Sequence, residues 1–409
     1  MLPRDSLPPP PPGAPAKLLS GVRVLDLTTS IAAPYATMLL GDLGAEIVKI
    51  ERPGSGDDSR AWGPPFLDGE SLWYLSVNRN KASVTLDYAN NEGLAVLHRL
   101  VAAADVLVLN LVPRVQKKLR VDYASLKSVR PNLIFVSLTG FGLSGPNADK
   151  SSYDLIAEGY SGVMDITGEP DSPPQKIGTP AADLLAGMDA VIATQAALLD
   201  RARTCRGHLI DISMVESMTR FLTPRIVTYL GSGEVPRRSG ARDSVIAIYQ
   251  AFDTADEPIT LGLGNDGLWK RFWEAVGEPA YALEPRLRSN VDRLKHRKEI
   301  IAKIQALFRQ NTRRHWLELL ERAKIPCGPI NRVDQITADR ALIDRGLFYQ
   351  IERDSLCIPQ VGLGIQFDGE ANGPRLPPPR LGQHTEEILG AWAQVTKTEI
   401  EALRSRGVV

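Results

Sequence analysis

The sequence has little of what many catalytic and structural sites are built from. Its three cysteines, Cys205, Cys327 and Cys357, are scattered with no CxxC pair, so neither a disulfide frame nor a cysteine-based zinc site is expected. A reducing, cytoplasmic setting follows as the expectation. The five histidines, His98, His208, His296, His315 and His384, include no pair at metal-ligand spacing, so no metal is expected. Charge of one sign is missing as well: 48 Lys and Arg balance 48 Asp and Glu. Such a chain offers no broad field to nucleic acid or to an anionic membrane, and an anionic partner must be held by a local basic site. No apolar run approaches the roughly 18–20 residues of a membrane span. Phosphate loops of the GxxxxGK[ST] type, a GxGxxG after the first strand and a GxSxG nucleophile elbow are absent too, which argues against P-loop, dinucleotide and serine-hydrolase chemistry.

What is there is ample apolar material, 43% of 409 residues, enough for two domains. The first 17 residues include five consecutive prolines, Pro8 to Pro12, and read as an extended, disordered and dispensable leader. From residue 22 onward strand and helix patterns alternate: strands at 22–27, 46–50, 82–86, 105–109 and 133–138, with helices near 34–43, 92–102 and 123–129. That alternation predicts an α/β fold, a large Rossmann-like domain on a mostly parallel sheet. Ligands in that architecture bind beyond the C-terminal strand ends, where Thr28-Thr29-Ser30, Glu51-Arg52, Asn110 and Thr139-Gly140-Phe141 lie. A linker at 231–240 introduces a small α+β domain, with an antiparallel hairpin that ends in Gly262-Leu263-Gly264-Asn265-Asp266-Gly267 and helices at 268–276, 292–310 and 313–323. Those glycines follow a hairpin, so they are not read as a dinucleotide loop. The boundaries expected are a leader at 1–17, a large domain at 18–228 and 332–409, and a small domain at 229–331.

The segment 180–203 predicts a long buried helix with Leu184, Leu185, Met188, Val191, Ile192, Leu198 and Leu199 at helical spacing. Asp183 stands at its mouth. As an N-cap it would accept a helix N–H and be kept ionised by the helix dipole, and an ionised carboxylate is a nucleophile toward an activated acyl group. A purely structural cap is the alternative.

Tyr153-Asp154, Ser161-Gly162-Val163-Met164-Asp165-Ile166-Thr167-Gly168, Asp183 with Gly187, and Gly207-His208-Leu209-Ile210-Asp211-Ile212-Ser213-Met214 occur in this order. Together they resemble the class III CoA-transferase family. Likeness extends from about Leu19 to the C-terminus through Gly44-Ala45-Glu46-Ile47-Val48-Lys49-Ile50-Glu51-Arg52-Pro53-Gly54, Ile325-Pro326-Cys327-Gly328-Pro329-Ile330-Asn331 and Leu381-Gly382-Gln383-His384-Thr385. The blocks Gly56-Asp57-Asp58-Ser59-Arg60-Ala61-Trp62 and Leu75-Ser76-Val77-Asn78-Arg79-Asn80-Lys81 are most similar to the succinate-hydroxymethylglutarate branch.

The resemblance implies CoA transfer from an acyl-CoA, a succinyl or other dicarboxyl thioester in that branch, to a carboxylic acid, through covalent intermediates on Asp183. It implies coenzyme A as part of a substrate, no tightly bound cofactor and an interlocked dimer, homodimeric or with a different second subunit. By the resemblance, Tyr153 and Asp154 belong to the acyl site, where Arg242 of the linker is a candidate to pair with a substrate's distal carboxylate, while Thr29, Ser30, Ile31, Arg52, Asn80, Lys81, Leu86, Asn110, Lys118, Ser151 and Ser152 line the CoA groove, with Arg52 and Lys81 as the candidates to pair with phosphates. Arg52 as solvated surface, Tyr153 as helix-start packing and Arg242 as part of a basic loop with Arg237 and Arg238 stay open. Two departures stand out: some relatives carry Gln where Ile31 stands and Lys where Ala89 stands. Racemases of the same fold use a His-Asp pair where this chain has Tyr153-Asp154, and a tyrosine near pKa 10 is a poor base at neutral pH. A racemase or a non-catalytic CoA-binding subunit remains the alternative.

Overall fold

The computed structural model describes residues 3–13 and 16–409. The chain divides into two units: Met1–Val163 with Lys176–Leu230 and Thr337–Val409, and Met164–Gln175 with Gly231–Ile336. Relative to the sequence boundaries, Met164–Gln175 goes with the smaller unit.

The larger unit is built on six parallel strands: β1 (Arg23–Leu27), β2 (Glu46–Glu51), β3 (Lys81–Thr85), β4 (Val106–Leu109), β5 (Ile134–Thr139) and β6 (His208–Ser213). Their spatial order is β3-β2-β1-β4-β5-β6, so the chain builds one half of the sheet outward from β1, then returns to β1 and builds the other. Both faces are covered, which is why β4 is apolar, β5 is apolar but for Ser137 and Thr139, and both are buried throughout. On one face lie α2 (Asn91–Ala103), α4 (Tyr123–Val129) and the C-terminal helices Thr385–Ala393 and Lys397–Ser405. Leu97, Leu100, Leu126, Leu389, Trp392 and Leu403 fill that layer against Leu25, Val48, Leu107 and Phe135. Between α2 and α4 runs the short helix α3 (Pro113–Leu119). The C-terminal segment belongs to this unit because its backbone is held there: Asn80 donates its N–H to the Leu376 carbonyl at 2.9 Å, and His384 donates to the Ser83 carbonyl at 2.9 Å.

The helices α1 (Ala32–Asp42), α5 (Asp154–Ser161), α6 (Ala181–Thr204) and α7 (Met214–Phe221) form a second group, in which α6 packs on α1, α5, α7 and the strands β5 and β6. The buried stripe of α6 is not the leucine-rich one the sequence suggests. Ala182, Ala186, Gly187, Ala190, Val191, Thr194 and Ala197 face inward, while Ile192 and Leu199 are 64% and 70% exposed. Small side chains allow close approach: a Cβ at Gly187 would lie 2.7 Å from the Ala32 carbonyl oxygen. Against the expectation of no such run, α6 is long and apolar enough by length and composition to cross a membrane. One face of it packs on α1, α5, α7 and the sheet, while Ile192 and Leu199 on the other face are exposed.

The proline-rich leader also departs from expectation. The strand Phe348–Arg353 pairs with Leu356–Val361 on one edge, and on it Gln350 donates its N–H to the Pro8 carbonyl at 2.9 Å and its side-chain amide to the Leu7 carbonyl at 3.1 Å. Proline lacks a donor but keeps its carbonyl, so an extended proline run can accept from a strand edge. Residues 1–2 and 14–15 lie outside the described residues.

The smaller unit has an antiparallel three-stranded sheet in which Ile259–Gly262 lies between Tyr249–Phe252 and Cys327–Pro329. Helices Asp266–Ala275, Arg297–Phe308 and Arg313–Arg322 close over it, with Trp269, Phe272, Trp273, Phe308 and Trp316 as the core. The single helix expected at 292–310 is two, Asn290–Lys295 and Arg297–Phe308, broken at His296.

Candidate active site

The reversal of strand order falls between β1 and β4, the place where open parallel sheets leave a crevice beyond their C-terminal ends. Thr28, Thr29 and Ser30 turn across it from β1 into α1. Asp26 Oδ1 accepts from the Thr28 N–H at 3.0 Å, and Lys49 Nζ donates to the Thr28 carbonyl at 2.7 Å. The Asn110 amide clips Thr29 twice, accepting its N–H at 3.1 Å and donating to its carbonyl at 2.8 Å. Ser30 sits at φ 71°, left-handed for a residue other than glycine, and donates its N–H to Asp57 Oδ1 at 3.0 Å.

Beneath the turn lies a cluster of buried charges. Lys49 pairs with Asp57 at 2.8 Å, and Lys81 pairs with Asp26 at 3.0 Å, all fully buried or nearly so. Burial works against the Asp26 carboxylate, yet the ammoniums of Lys49 and Lys81, with hydroxyl donors from Thr28 and Thr37, hold it down at about 2. For Lys49 burial is likewise outweighed, by Asp26 and Asp57, and its pKa is raised. Sequence reasoning missed Asp26, Lys49 and Asp57. A usable signal was present, because Asp26 in Val-Leu-Asp-Leu and Lys49 in Ile-Val-Lys-Ile interrupt otherwise apolar strands, and such charges are buried only when paired.

Asp183 lies in the first turn of α6 but does not cap it. Pro180 occupies the N-cap position, and Asp154, the first residue of α5, accepts the Ala182 N–H at 2.8 Å instead. Asp154, assigned by resemblance to the acyl site, is thus the cap. Freed of that task, the Asp183 side chain has no hydrogen-bond or ion-pair partner among the described residues and is only 9% exposed. Burial, then the nearby Asp154 charge, pushes its pKa up to about 7, against the expected dipole-favoured ionisation. One turn further along the same face, Gly187 abuts Ala32 at the start of α1, so Asp183 stands beside the β1–α1 turn. Glu158, one turn after Asp154, is fully buried and accepts the Ile177 N–H at 2.8 Å, pinning the segment that leads into α6. It too was missed, being an unremarkable acid in a short helix.

Four of the residues assigned to the CoA groove have side chains that are not available to a ligand. Lys81 is fully buried and donates to Asp26, Asn78 and the Pro34 carbonyl at 2.8–3.0 Å, which uses all three ammonium hydrogens. Asn80 donates to Asp42 and accepts from the backbone of Arg375 and Leu376, tying down the returning C-terminal segment. Leu86 is wholly in the core, and the Ile31 side chain is buried as well. Thr29, Ser30 and Asn110 gather at the crevice. Arg52 follows β2, with an exposed guanidinium paired to Asp58. Lys118 is exposed in the last turn of α3, Ser151 is exposed and Ser152 half-buried ahead of α5. Tyr153 is 61% exposed and makes no side-chain cap. Arg242 lies in the smaller unit, where it donates to the Ser239 carbonyl and pairs loosely with Glu169 at 3.5 Å.

Among the described residues nothing compensates the burial of the Asp183 carboxyl, so its place in the first turn of α6 costs stability. Residues 19–385 match the sequence profile of CoA-transferase family III. The chain belongs to CoA-transferase family III. It is 37% identical over 394 residues to the mouse (Mus musculus) succinyl-CoA:glutarate CoA-transferase, covering 96% of this chain and 90% of that one. With the succinate–glutarate CoA-transferase of Agrobacterium fabrum it shares 38% over 387 residues, 93% of this chain and 97% of the relative. The crystal structure of a CAIB/BAIF family protein from Brucella suis superposes with a TM-score of 0.80 at 35% identity, covering 91% and 99% of the two chains. As a family III CoA-transferase the chain is an enzyme whose substrates are an acyl-CoA and a carboxylic acid.

Proposed function

We propose that this transferase moves CoA between two dicarboxylic acids, with succinyl-CoA as donor and glutarate or a similar short diacid as acceptor, through covalent intermediates on Asp183. The observation that carries the mechanism is the Asp183 carboxyl, buried, without a partner among the described residues and beside the β1–α1 turn. The choice of acids is supported by the relatives named for succinyl-CoA and glutarate.

The chemistry balances without any other reactant. The Asp183 carboxylate attacks the thioester carbonyl, and the tetrahedral adduct expels the CoA thiolate, leaving an acyl-aspartyl anhydride. The thiolate then attacks the aspartyl carbonyl and releases the donor acid as its carboxylate, so Asp183 now carries CoA as a thioester. The acceptor carboxylate repeats the first attack on that thioester, and the thiolate takes the acceptor acyl group, which restores Asp183. No proton is gained or lost overall. Desolvation raises the energy of the free carboxylate relative to the neutral anhydride and thioester, so burial favours the covalent states. Thr29, Ser30 and Asn110 stand at the crevice for the thioester end of CoA, and Arg52, exposed and held by Asp58 and the Gly56 carbonyl, is the cation for a phosphate once it leaves Asp58.

The test is direct. Incubated with succinyl-CoA alone, the protein should accumulate a thioester that hydroxylamine converts to a hydroxamate and borohydride reduces to an alcohol, each mass change falling on the peptide containing Asp183. An unmodified peptide under conditions of active transfer would refute the covalent route.

Pairing of two copies is also proposed. It is supported by apolar side chains left in solvent on neighbouring helices of the larger unit, among them Ile192 and Leu199 of α6 and Phe221 of α7. Sedimentation equilibrium at the mass of one 44.7 kDa chain would refute it.

A further inference from the structure

We propose that Asp57 is a positioning residue for acyl-CoA: it holds Ser30 in its left-handed conformation and so sets the shape of the Thr28–Ser30 turn that the thioester end of CoA meets. The inference rests on the reading above that acyl-CoA lies in the crevice beyond β1 and β4.

Asp57 does not face that crevice. It is 1% exposed, and its Oδ1 accepts from the Ser30 N–H at 3.0 Å, the Ser59 N–H at 2.9 Å and the Ser59 hydroxyl at 2.8 Å, while its other oxygen pairs with Lys49 at 2.8 Å. Lys49 in turn holds the Thr28 carbonyl, and Asn110 holds both backbone groups of Thr29. Four side chains, Asp26, Lys49, Asp57 and Asn110, therefore fix three consecutive residues. A turn needs nothing so elaborate. Glycine at position 30 would reach φ 71° at no steric cost, and apolar residues of like volume in place of the buried ions would make a sheet at least as stable. A strained serine, held from several strands at the one point where the sheet order reverses, is the pattern of a site whose geometry must be over-determined.

The experiment compares Asp57→Asn with Asp57→Ala, using succinyl-CoA and glutarate. Both variants take from the Lys49 ammonium its nearer carboxylate and leave Asp26 at 3.9 Å, so both should melt below the wild type. Only the alanine releases Ser30, because the asparagine oxygen still accepts from the Ser30 and Ser59 N–H groups. The expected result is a succinyl-CoA KM raised about tenfold or more in Asp57→Ala and within about threefold of wild type in Asp57→Asn, with kcat and the glutarate KM nearly unchanged in each. Equal succinyl-CoA KM values in the two variants would overturn the proposal, since a merely structural Asp57 moves both alike. Asp57→Ser serves if Asp57→Ala fails to fold: its hydroxyl can still accept the Ser59 N–H as a cap but is too short to hold Ser30 as well. It should show the same selective rise in succinyl-CoA KM, and a wild-type value there would overturn the proposal. A wild-type enzyme that transfers CoA with no adduct on Asp183 refutes the covalent mechanism and leaves these comparisons standing, so the two failures are distinguishable.

Discussion

Replacing Asp183 by Asn should abolish transfer while making the protein more stable, by an amount that grows with pH. In the folded chain burial and the Asp154 charge move this carboxyl from 3.8 to about 7. A group whose folded pKa is raised contributes stability that is fully present below its unfolded value and is lost as the pH rises through the folded value. Ionised Asp183 therefore costs nothing near pH 3, a progressively larger amount from pH 4 upward, and a constant amount above pH 7. At about 1.4 kcal/mol per unit, a shift of roughly three units sets that plateau at about 4 kcal/mol. The asparagine amide does not titrate, and with Asp154 acting as the cap of α6 no helix N–H loses its acceptor. Thermal unfolding of both proteins between pH 5 and pH 8.5, with succinyl-CoA to glutarate transfer assayed alongside, reads the effect. Asp183→Asn should melt higher, the gap widening to a few degrees by pH 7 and then holding, with activity lost by several orders of magnitude. A gap independent of pH, or a less stable variant, would refute the assignment of Asp183 as an unpartnered buried acid; retained activity would refute it as nucleophile.

Four further outcomes are expected. Asp154→Asn keeps an oxygen for the Ala182 N–H but removes the charge that helps raise Asp183, so the acid limb of the kcat/KM profile, expected near pH 7 in the wild type, should move to lower pH. Arg52→Ala removes an exposed guanidinium, and by calorimetry acyl-CoA affinity should weaken about tenfold, as for one charged hydrogen bond. Gly187→Ala drives a methyl to 2.7 Å from a backbone oxygen, where neither side can yield cheaply; a loss of about 1–3 kcal/mol in denaturant titration is expected. Deleting residues 3–13 strips the acceptors of Gln350 and should lower the melting temperature while leaving kcat in place.

Much of the larger unit was legible because parallel strands buried on both faces read as near-continuous apolar runs. The runs around 105–109 and 133–138 match β4 and β5 to within a residue, and the glycines at 262–267 do end an antiparallel hairpin. Strand β6 was not read as one: His208, Ile210 and Asp211 give it a mixed pattern, and it sits at the sheet's edge with alternating exposure.

By itself the sequence determined the class of fold, the position of Asp183 at the head of a long helix and the family, since these depend on local periodicity and on residues in a fixed order. What those residues do was decided only by tertiary structure. The cap of α6 came from Asp154, 28 residues upstream of the N–H it accepts, and that distant donation turned Asp183 from a presumed cap into a partnerless buried acid. Lys81, a basic residue after an asparagine in the sequence, became a buried tie because Asp26, Asn78 and Pro34 converge on its ammonium. Whether a charge meets solvent, a ligand or another charge depends on what the rest of the chain brings within about 3 Å of it, and a linear pattern does not carry that distance.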